Sequence, residues 1–229
     1  MKHAILFPCY KPDIKLIEII DSLKHENNII KIIIDNGNDN DYHQYFKEIS
    51  DMSGCSVFKI EQNTGKGNGI KRGISFLCQN YRLIDFVIFA DADGQHTTND
   101  ILKFINQCNY LSKDFFLIGK REHNFKTPLK NRLGNLFYNF LINRKFNLGI
   151  SDSLCGLRAI HFSKIDILKN LNTNQFDFEI ESLIKIKNEK SINFKEVLIS
   201  STYFNNRKSN FSPITDSIKL VNYLYKIKK

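Results

Sequence analysis

Short apolar runs alternate with helix-patterned stretches through the first half of the chain, and no other feature restricts the fold as strongly. Ala4-Ile5-Leu6-Phe7 is followed by Ile14 to Leu23, apolar at helical spacing, and then by Ile29-Ile30-Lys31-Ile32-Ile33-Ile34, which together read as a βαβ unit. Further runs at Val57 to Ile60, Phe86 to Ala90 and Phe115 to Ile118 are separated by helical segments near Gly69 to Gln79 and Asp100 to Leu111. The pattern predicts an α/β fold with a mostly parallel central sheet and helices on both faces.

From about Thr127 the character changes: a Pro-started amphipathic helix (Pro128 to Ile142), a Gly- and Ser-marked turn, a helix around Asp177 to Ile186 and a strand at Phe194 to Ile199. The last segment, Asp216 to Lys229, has a helical pattern ending in lysines. It reads either as a packed terminal helix whose cations complement its dipole or as a membrane-surface contact. No Pro/Gly/Ser linker, repeat or low-complexity tract interrupts the chain, so one domain is expected over residues 1–229.

Composition narrows the partners rather than the chemistry. At 229 residues and 42% hydrophobic, the chain can bury one substantial core. Its longest uncharged stretches, such as Phe137 to Ile142, are far short of the roughly 20 apolar residues of a spanning helix. The N-terminus has too short an apolar core for a signal peptide, so the cytosol is the expected compartment. Five widely spaced cysteines without a CxxC pair suggest neither disulfides nor zinc. The net charge of +9 implies an anionic partner: nucleic acid, a lipid surface or a phosphorylated substrate. Scattered lysines and the lack of any RNP-like or helix-turn-helix pattern argue against nucleic acid.

Ligands of open α/β sheets bind outside the carboxyl ends of the strands. Three polar clusters follow apolar runs directly: Asp35-Asn36-Gly37-Asn38, Asn63-Thr64-Gly65-Lys66-Gly67-Asn68 and Asp91-Ala92-Asp93-Gly94-Gln95-His96. The third carries the most chemistry. Two carboxylates one residue apart, then a Gly turn and an amide, offer the hard oxygen donors that suit Mg²⁺ or Mn²⁺, especially when substrate phosphates complete the shell. A solvated acidic turn is the plain alternative. The Gly65-Lys66-Gly67 loop opens a helix whose N-terminus favours anions, yet it is neither a Walker A loop nor a Rossmann fingerprint.

Together these clusters resemble the family 2 glycosyltransferases, in the branch of dolichyl-phosphate mannose synthase and the polyprenyl-phosphate glycosyltransferases, along nearly the whole chain. Pro8-Cys9-Tyr10-Lys11-Pro12 resembles the P-x-[YN]-[NK] opening, Ile33 to Gly37 the V-D-[DN]-G turn, and Asn63-x-Gly65-Lys66-Gly67 the N-x-G-K-G loop. Asp91 to His96 matches the branch's D-A-D-G-Q-H, a far more specific string than D-x-D. Ser151 to Ala159 resembles D-x-x-[SC]-G-[FL]-R-A, and Phe178-Glu179-Ile180-Glu181 resembles F-E-x-E.

The resemblance implies a GT-A fold, with residues 1–120 as the nucleotide-sugar half and 121–229 as the acceptor-side half. It implies that Pro8, Tyr10, Asp35, Asn63, Gly65, Lys66, Gly67, Asp91, Ala92 and Asp93 contact the donor. Asp93 would be the principal metal ligand, with Asp91 and Gln95 beside it. Arg132 would face phosphate, and the basic loop Tyr203 to Pro213, through Arg207 and Lys208, would neutralise the departing diphosphate. The turn after Asp35 reads Asn36-Gly37-Asn38-Asp39-Asn40 where the family commonly has D-G-S-x-D.

An acceptor that is a polyprenyl phosphate is already anionic and needs no strong base. An acceptor hydroxyl would need one, with Asp152 the first candidate and Glu181 the second. The alternative for Asp152 is an ion pair with Arg158 that fixes the acceptor loop; for Glu179 and Glu181 it is a capping or solvated role. The expected reaction is inverting transfer from a UDP- or GDP-sugar at the inner face of a membrane or in the cytoplasm. The rivals from other classes are a nucleotidyltransferase and a non-catalytic sugar-nucleotide binder.

Overall fold

The computed structural model describes residues 1–122, 129–175 and 177–200, with the backbone alone for residues 129–134. Seven strands form one sheet: β1 (His3–Cys9), β2 (Ile29–Asn36), β3 (Cys55–Ile60), β4 (Phe86–Phe89), β5 (Phe115–Arg121), β6 (Arg158–His161) and β7 (Asn193–Ile199). Their spatial order is β3-β2-β1-β4-β6-β5-β7. Strand β6 is antiparallel to both its neighbours, and every other pairing is parallel. The sheet is thus mostly parallel, as expected.

The helices are α1 (Ile14–Ser22), α2 (His43–Ser50), α3 (Lys66–Asn80), α4 (Thr98–Tyr110), α5 (Leu129–Phe146), α6 (Asp166–Lys169) and α7 (Phe178–Asn188). All eight residues of β2 are buried, the signature of a strand covered on both faces. Right-handed crossovers explain the two layers. The chain steps from β1 to β2 to β3 in one direction and from β3 back to β4 in the other, so α1 and α2 cover one face while α3 lies on the opposite one. Local chemistry fixes the helix starts. Asp13 caps α1 by accepting from the Lys15 amide, and Thr97 with Asp100 forms a capping box at α4.

Three elements escape the sequence pattern. Helix α2 buries only Phe46 and Ile49, α6 is a single turn, and β6 is four residues long inside what reads as a loop motif. Strand β6 is recognisable through its partners, since it fills the gap between β4 and β5. The expected basic loop and the terminal helix over residues 216–229 lie outside the described residues. No helix among the described residues is long and apolar enough to cross a membrane.

Candidate active site

The direction of chain progression reverses between β1 and β4, so the crevice at their carboxyl ends is the topological switch point where such sheets bind ligands. Pro8 at the end of β1 and Asp91 just after β4 both line a cavity there, with Lys66, Arg158 and Glu179. The β2 and β3 ends stand alongside, because Cys9 is in register with Asp35 and Asp35 with Lys59.

At the β2 end, Asp35 is buried and its Oδ1 accepts from the backbone amide of Asn38 at 3.0 Å and from its Nδ2 at 2.7 Å. Asn38 also donates to the Cys9 carbonyl at 3.0 Å and accepts from the Lys11 amide at 2.6 Å. The residue that departs from the family's turn thus ties β1 to β2 and fixes Asp35. Tyr10, partly buried beside this bridge, lies under the Lys11 ammonium at 5.4 Å. Asn36 Nδ2 reaches Asn63 Oδ1 at 3.3 Å and the Gly65 carbonyl at 3.2 Å, and Asn63 Oδ1 accepts from the Gly65 amide at 2.9 Å. Gly65 has φ 106°, and a side chain there would meet Asn174 and Gln175, so the start of α3 requires glycine.

The first carboxylate of the Asp91-Ala92-Asp93 turn faces inward. Lys66 Nζ lies 2.5 Å from Asp91 Oδ1 and 2.7 Å from Glu179 Oε1, and His96 Nε2 lies 3.3 Å from Asp91 Oδ2. A Cβ on Gly156 would strike Asp91 Oδ2, so the glycine of the 151–159 motif makes room for this carboxylate. Burial opposes ionisation of Asp91, but Lys66 and then His96 outweigh it and hold the carboxyl well below the usual range. Burial likewise opposes the charge on Lys66, and its two carboxylates raise it above the usual lysine value. The Lys66 ammonium thus bridges Asp91 and Glu179.

The second carboxylate pairs within its own turn. Asp93 Oδ1 accepts from the Gln95 amide at 3.0 Å and Oδ2 from Gln95 Nε2 at 2.7 Å, and both side chains are partly exposed. Among the described residues no group of three His, Cys, Asp or Glu converges as a cage. The donor set fits a hard cation that keeps several other oxygen ligands, since Asp93 and the Gln95 amide already touch and Asp91 stands two residues away. Ala92 between them is buried.

The carboxylates on the β5 to β7 side of the sheet have partners of their own. Arg121 donates from Nε to Asp152 Oδ2 at 2.6 Å and from Nη2 to Oδ1 at 2.8 Å, a bidentate pair. Burial pushes the Asp152 carboxyl up and Arg121 more than reverses this, leaving it below its ordinary value. The anticipated Asp152–Arg158 pair is thus replaced by Asp152–Arg121. Arg158 is instead buried at the start of β6, donating to the carbonyls of Cys155 (2.8 Å), Ser153 (2.9 Å) and Glu179 (2.6 Å) and to Ser182 Oγ (2.5 Å).

Glu181, expected as a second base, is engaged as a loop anchor. It accepts from both the backbone and side chain of Asn172 and Thr173, at 2.7 to 3.4 Å. That loop in turn supports α3, with Lys71 Nζ reaching the Leu171 carbonyl at 2.9 Å and Asn174 Oδ1 at 2.7 Å. Cys155 offers no nucleophile, because burial and then Asp152 push its thiol up to about 12. Arg132 lies within α5 with its side chain outside the described residues, as are Arg207 and Lys208. The last described residue, Ser200, is fixed by Asp100, which accepts from its amide at 2.9 Å and its hydroxyl at 2.7 Å.

Sequence reasoning named Asn38 and Gly156 only as members of their motifs, without a role, and missed Arg121. The turn chemistry of Asn38 could have been read locally; Arg121 is 31 positions from its partner and carries no local signal.

Residues 4–168 match the family described as Glycosyl transferase family 2. The chain is 28% identical over 218 residues to the UDP-N-acetylglucosamine--dolichyl-phosphate N-acetylglucosaminyltransferase of Methanococcus voltae, covering 87% of this chain and 85% of that protein. It is 25% identical over 247 residues to the dolichyl-phosphate beta-glucosyltransferase of Dictyostelium discoideum, covering 98% of this chain and 73% of that one. Among solved structures, mannosyl-3-phosphoglycerate synthase from Rubrobacter xylanophilus superposes with a TM-score of 0.66 at 13% identity, covering 98% of this chain and 72% of that chain. At that identity the likeness concerns the fold, which is the GT-A arrangement.

Proposed function

Because the chain belongs to glycosyl transferase family 2, we propose that this enzyme moves a sugar from a UDP- or GDP-sugar to a polyprenyl phosphate, with inversion at the anomeric carbon. The observation that carries the reading is the division of the Asp91 to Gln95 turn. One carboxylate is held by Lys66, and the other by the backbone and side-chain amides of Gln95, just after β4 at the sheet's switch point. Asp93 and Gln95 would hold Mg²⁺ or Mn²⁺, with Asp91 next to the donor ribose. The cation would supply Lewis-acid stabilisation of the departing diphosphate. Asp35, Asn63 and the Gly65 to Gly67 loop would cradle the nucleoside, and the N-terminus of α3 would face its phosphates. Residues 1–120 would then be the donor half and 121–229 the acceptor half.

Two findings favour the phosphate acceptor over a saccharide hydroxyl. The relatives above are named for dolichyl-phosphate acceptors. Asp152 and Glu181, the carboxylates suited by sequence to take a hydroxyl proton, are engaged by Arg121 and by the 172–173 loop. A phosphate oxygen already carries its charge, so orientation and charge neutralisation would supply the rate. An acceptor of this kind places the enzyme against the inner face of a membrane without requiring a spanning helix.

The deciding experiment incubates the enzyme with a panel of UDP- and GDP-sugars and Mn²⁺ or Mg²⁺, with and without a short polyprenyl phosphate, and measures nucleoside diphosphate release. The proposal expects one base to be preferred, release to need the cation, and the lipid phosphate to stimulate it. Indifference to the lipid together with stimulation by oligosaccharides would move the acceptor to a hydroxyl, and release of pyrophosphate from a nucleoside triphosphate would move the chain to the nucleotidyltransferases. Retention at the anomeric carbon, seen by NMR of the product, would overturn the single displacement.

A further inference from the structure

Glu179 lies beyond the residues that match the family, in the first turn of α7. Its peptide is clamped from two sides, since its carbonyl accepts from Arg158 Nη1 at 2.6 Å and from Ser182 Oγ at 2.7 Å. Its side chain is 8% exposed, against 25% for Asp91, so of the two carboxylates on Lys66 the one on α7 is the deeper. Its Oε1 lies 2.7 Å from Lys66 Nζ, while Oε2 is buried and has no hydrogen-bond partner among the described residues. A buried carboxylate that leaves one oxygen unsatisfied is a poor way to stabilise a fold, because its desolvation is only partly offset.

We infer that Glu179 is a positioning residue for Asp91, acting through Lys66. The assignment rests on the glycosyl-transfer reading. Lys66 sits between an anchored carboxylate and the carboxylate at the switch point, so its ammonium is held in place from behind and does not follow Asp91 when the donor arrives. One ammonium is shared by the two carboxylates, and the Arg158 guanidinium, the next cation acting on both, is committed to carbonyls and the Ser182 hydroxyl. Asp91 thus keeps acceptor capacity for a donor hydroxyl or cation-bound donor instead of collapsing into a closed pair with Lys66. Gly156 completes the arrangement by leaving space against Asp91 Oδ2.

The test compares wild type, Glu179→Gln, Glu179→Asp, Lys66→Met and the Lys66→Met/Glu179→Gln double variant. Each is measured for melting temperature, for binding of UDP and of GDP with Mn²⁺ by calorimetry, and for donor KM and kcat. Glu179→Gln keeps the size and a hydrogen bond to Lys66, so it melts near the wild type. It weakens nucleoside diphosphate binding and raises donor KM about tenfold, equivalent to about 1.4 kcal/mol, with a smaller change in kcat. Glu179→Asp keeps the charge and recovers part of the loss. In the Lys66→Met background, Glu179→Gln adds nothing, the non-additivity expected of residues acting in series. Should Lys66→Met fail to fold, the Gln and Asp variants decide alone. Unchanged binding in Glu179→Gln, an Asp variant no better than Gln, or additive losses in the double variant would each overturn the inference. A wild type that binds neither diphosphate would instead remove the functional reading and this assignment with it.

Discussion

The acidic residues at the carboxyl ends of β2 and β4 and those on the β5 to β7 side of the sheet resemble one another in sequence and differ in what the fold does with them. On the first side, Asp93 accepts from the backbone and side-chain amides of Gln95, and Asp91 is held by a lysine shared with Glu179. On the second, Asp152 is locked by a bidentate arginine and Glu181 by four donors of one loop. A carboxylate near the crevice is therefore not by itself a base. What separates the two sides is the kind of partner: a lysine shared with Glu179 and the amides of one short turn on the first, an arginine fork and the donors of a distant loop on the second.

Arg158 offers the largest effect with which to break that comparison. It donates to three carbonyls and a hydroxyl from a fully enclosed site, so Arg158→Met should lower folding stability by about 3 to 5 kcal/mol in a urea titration. A loss of transfer at unchanged stability would place Arg158 in the chemistry instead.

Asp152 sharpens the comparison through pH. Its carboxyl is depressed in the folded state by Arg121, so its contribution to stability is complete above the unfolded value of about 3.9 and is lost as pH falls through the lower folded value. Asp152→Asn should therefore melt below the wild type at neutral pH, by about 1 to 2 kcal/mol, with the gap closing in acid as the wild-type carboxyl protonates. Its transfer rate at neutral pH should change by less than about tenfold, because a general base would contribute roughly 100-fold or more. A loss beyond that with an unaltered melting curve would return Asp152 to the role of base.

The parallel core and the strand-end clusters were legible because each depends on neighbours in sequence: unbroken apolar runs for the buried strands, and polar strings directly after them. The Asn63 to Gly67 loop and the Asp91 to His96 string fall in that class. What was not legible depends on partners brought together by the sheet. Arg121 reaches Asp152 only because β5 and the loop before β6 are adjacent, and the same β6 strand turns Arg158 into the core rather than toward Asp152. Nothing local to Lys66 announced that α7 would supply Glu179 as a second carboxylate for its ammonium. The departure after Asp35 was visible as a mismatch, but its meaning, Asn38 bridging β1 and β2, needed the register of those strands.

The most direct measurement of the central claim is Mn²⁺-dependent nucleoside diphosphate release from the preferred donor by Asp93→Ala, beside its melting temperature. Asp93 lies at the partly exposed tip of its turn, so the variant should fold and melt close to the wild type while release falls by about 100-fold or more, as expected when a Lewis-acid ligand is removed. Release that persists at the wild-type rate, with the same dependence on Mn²⁺, would contradict the account.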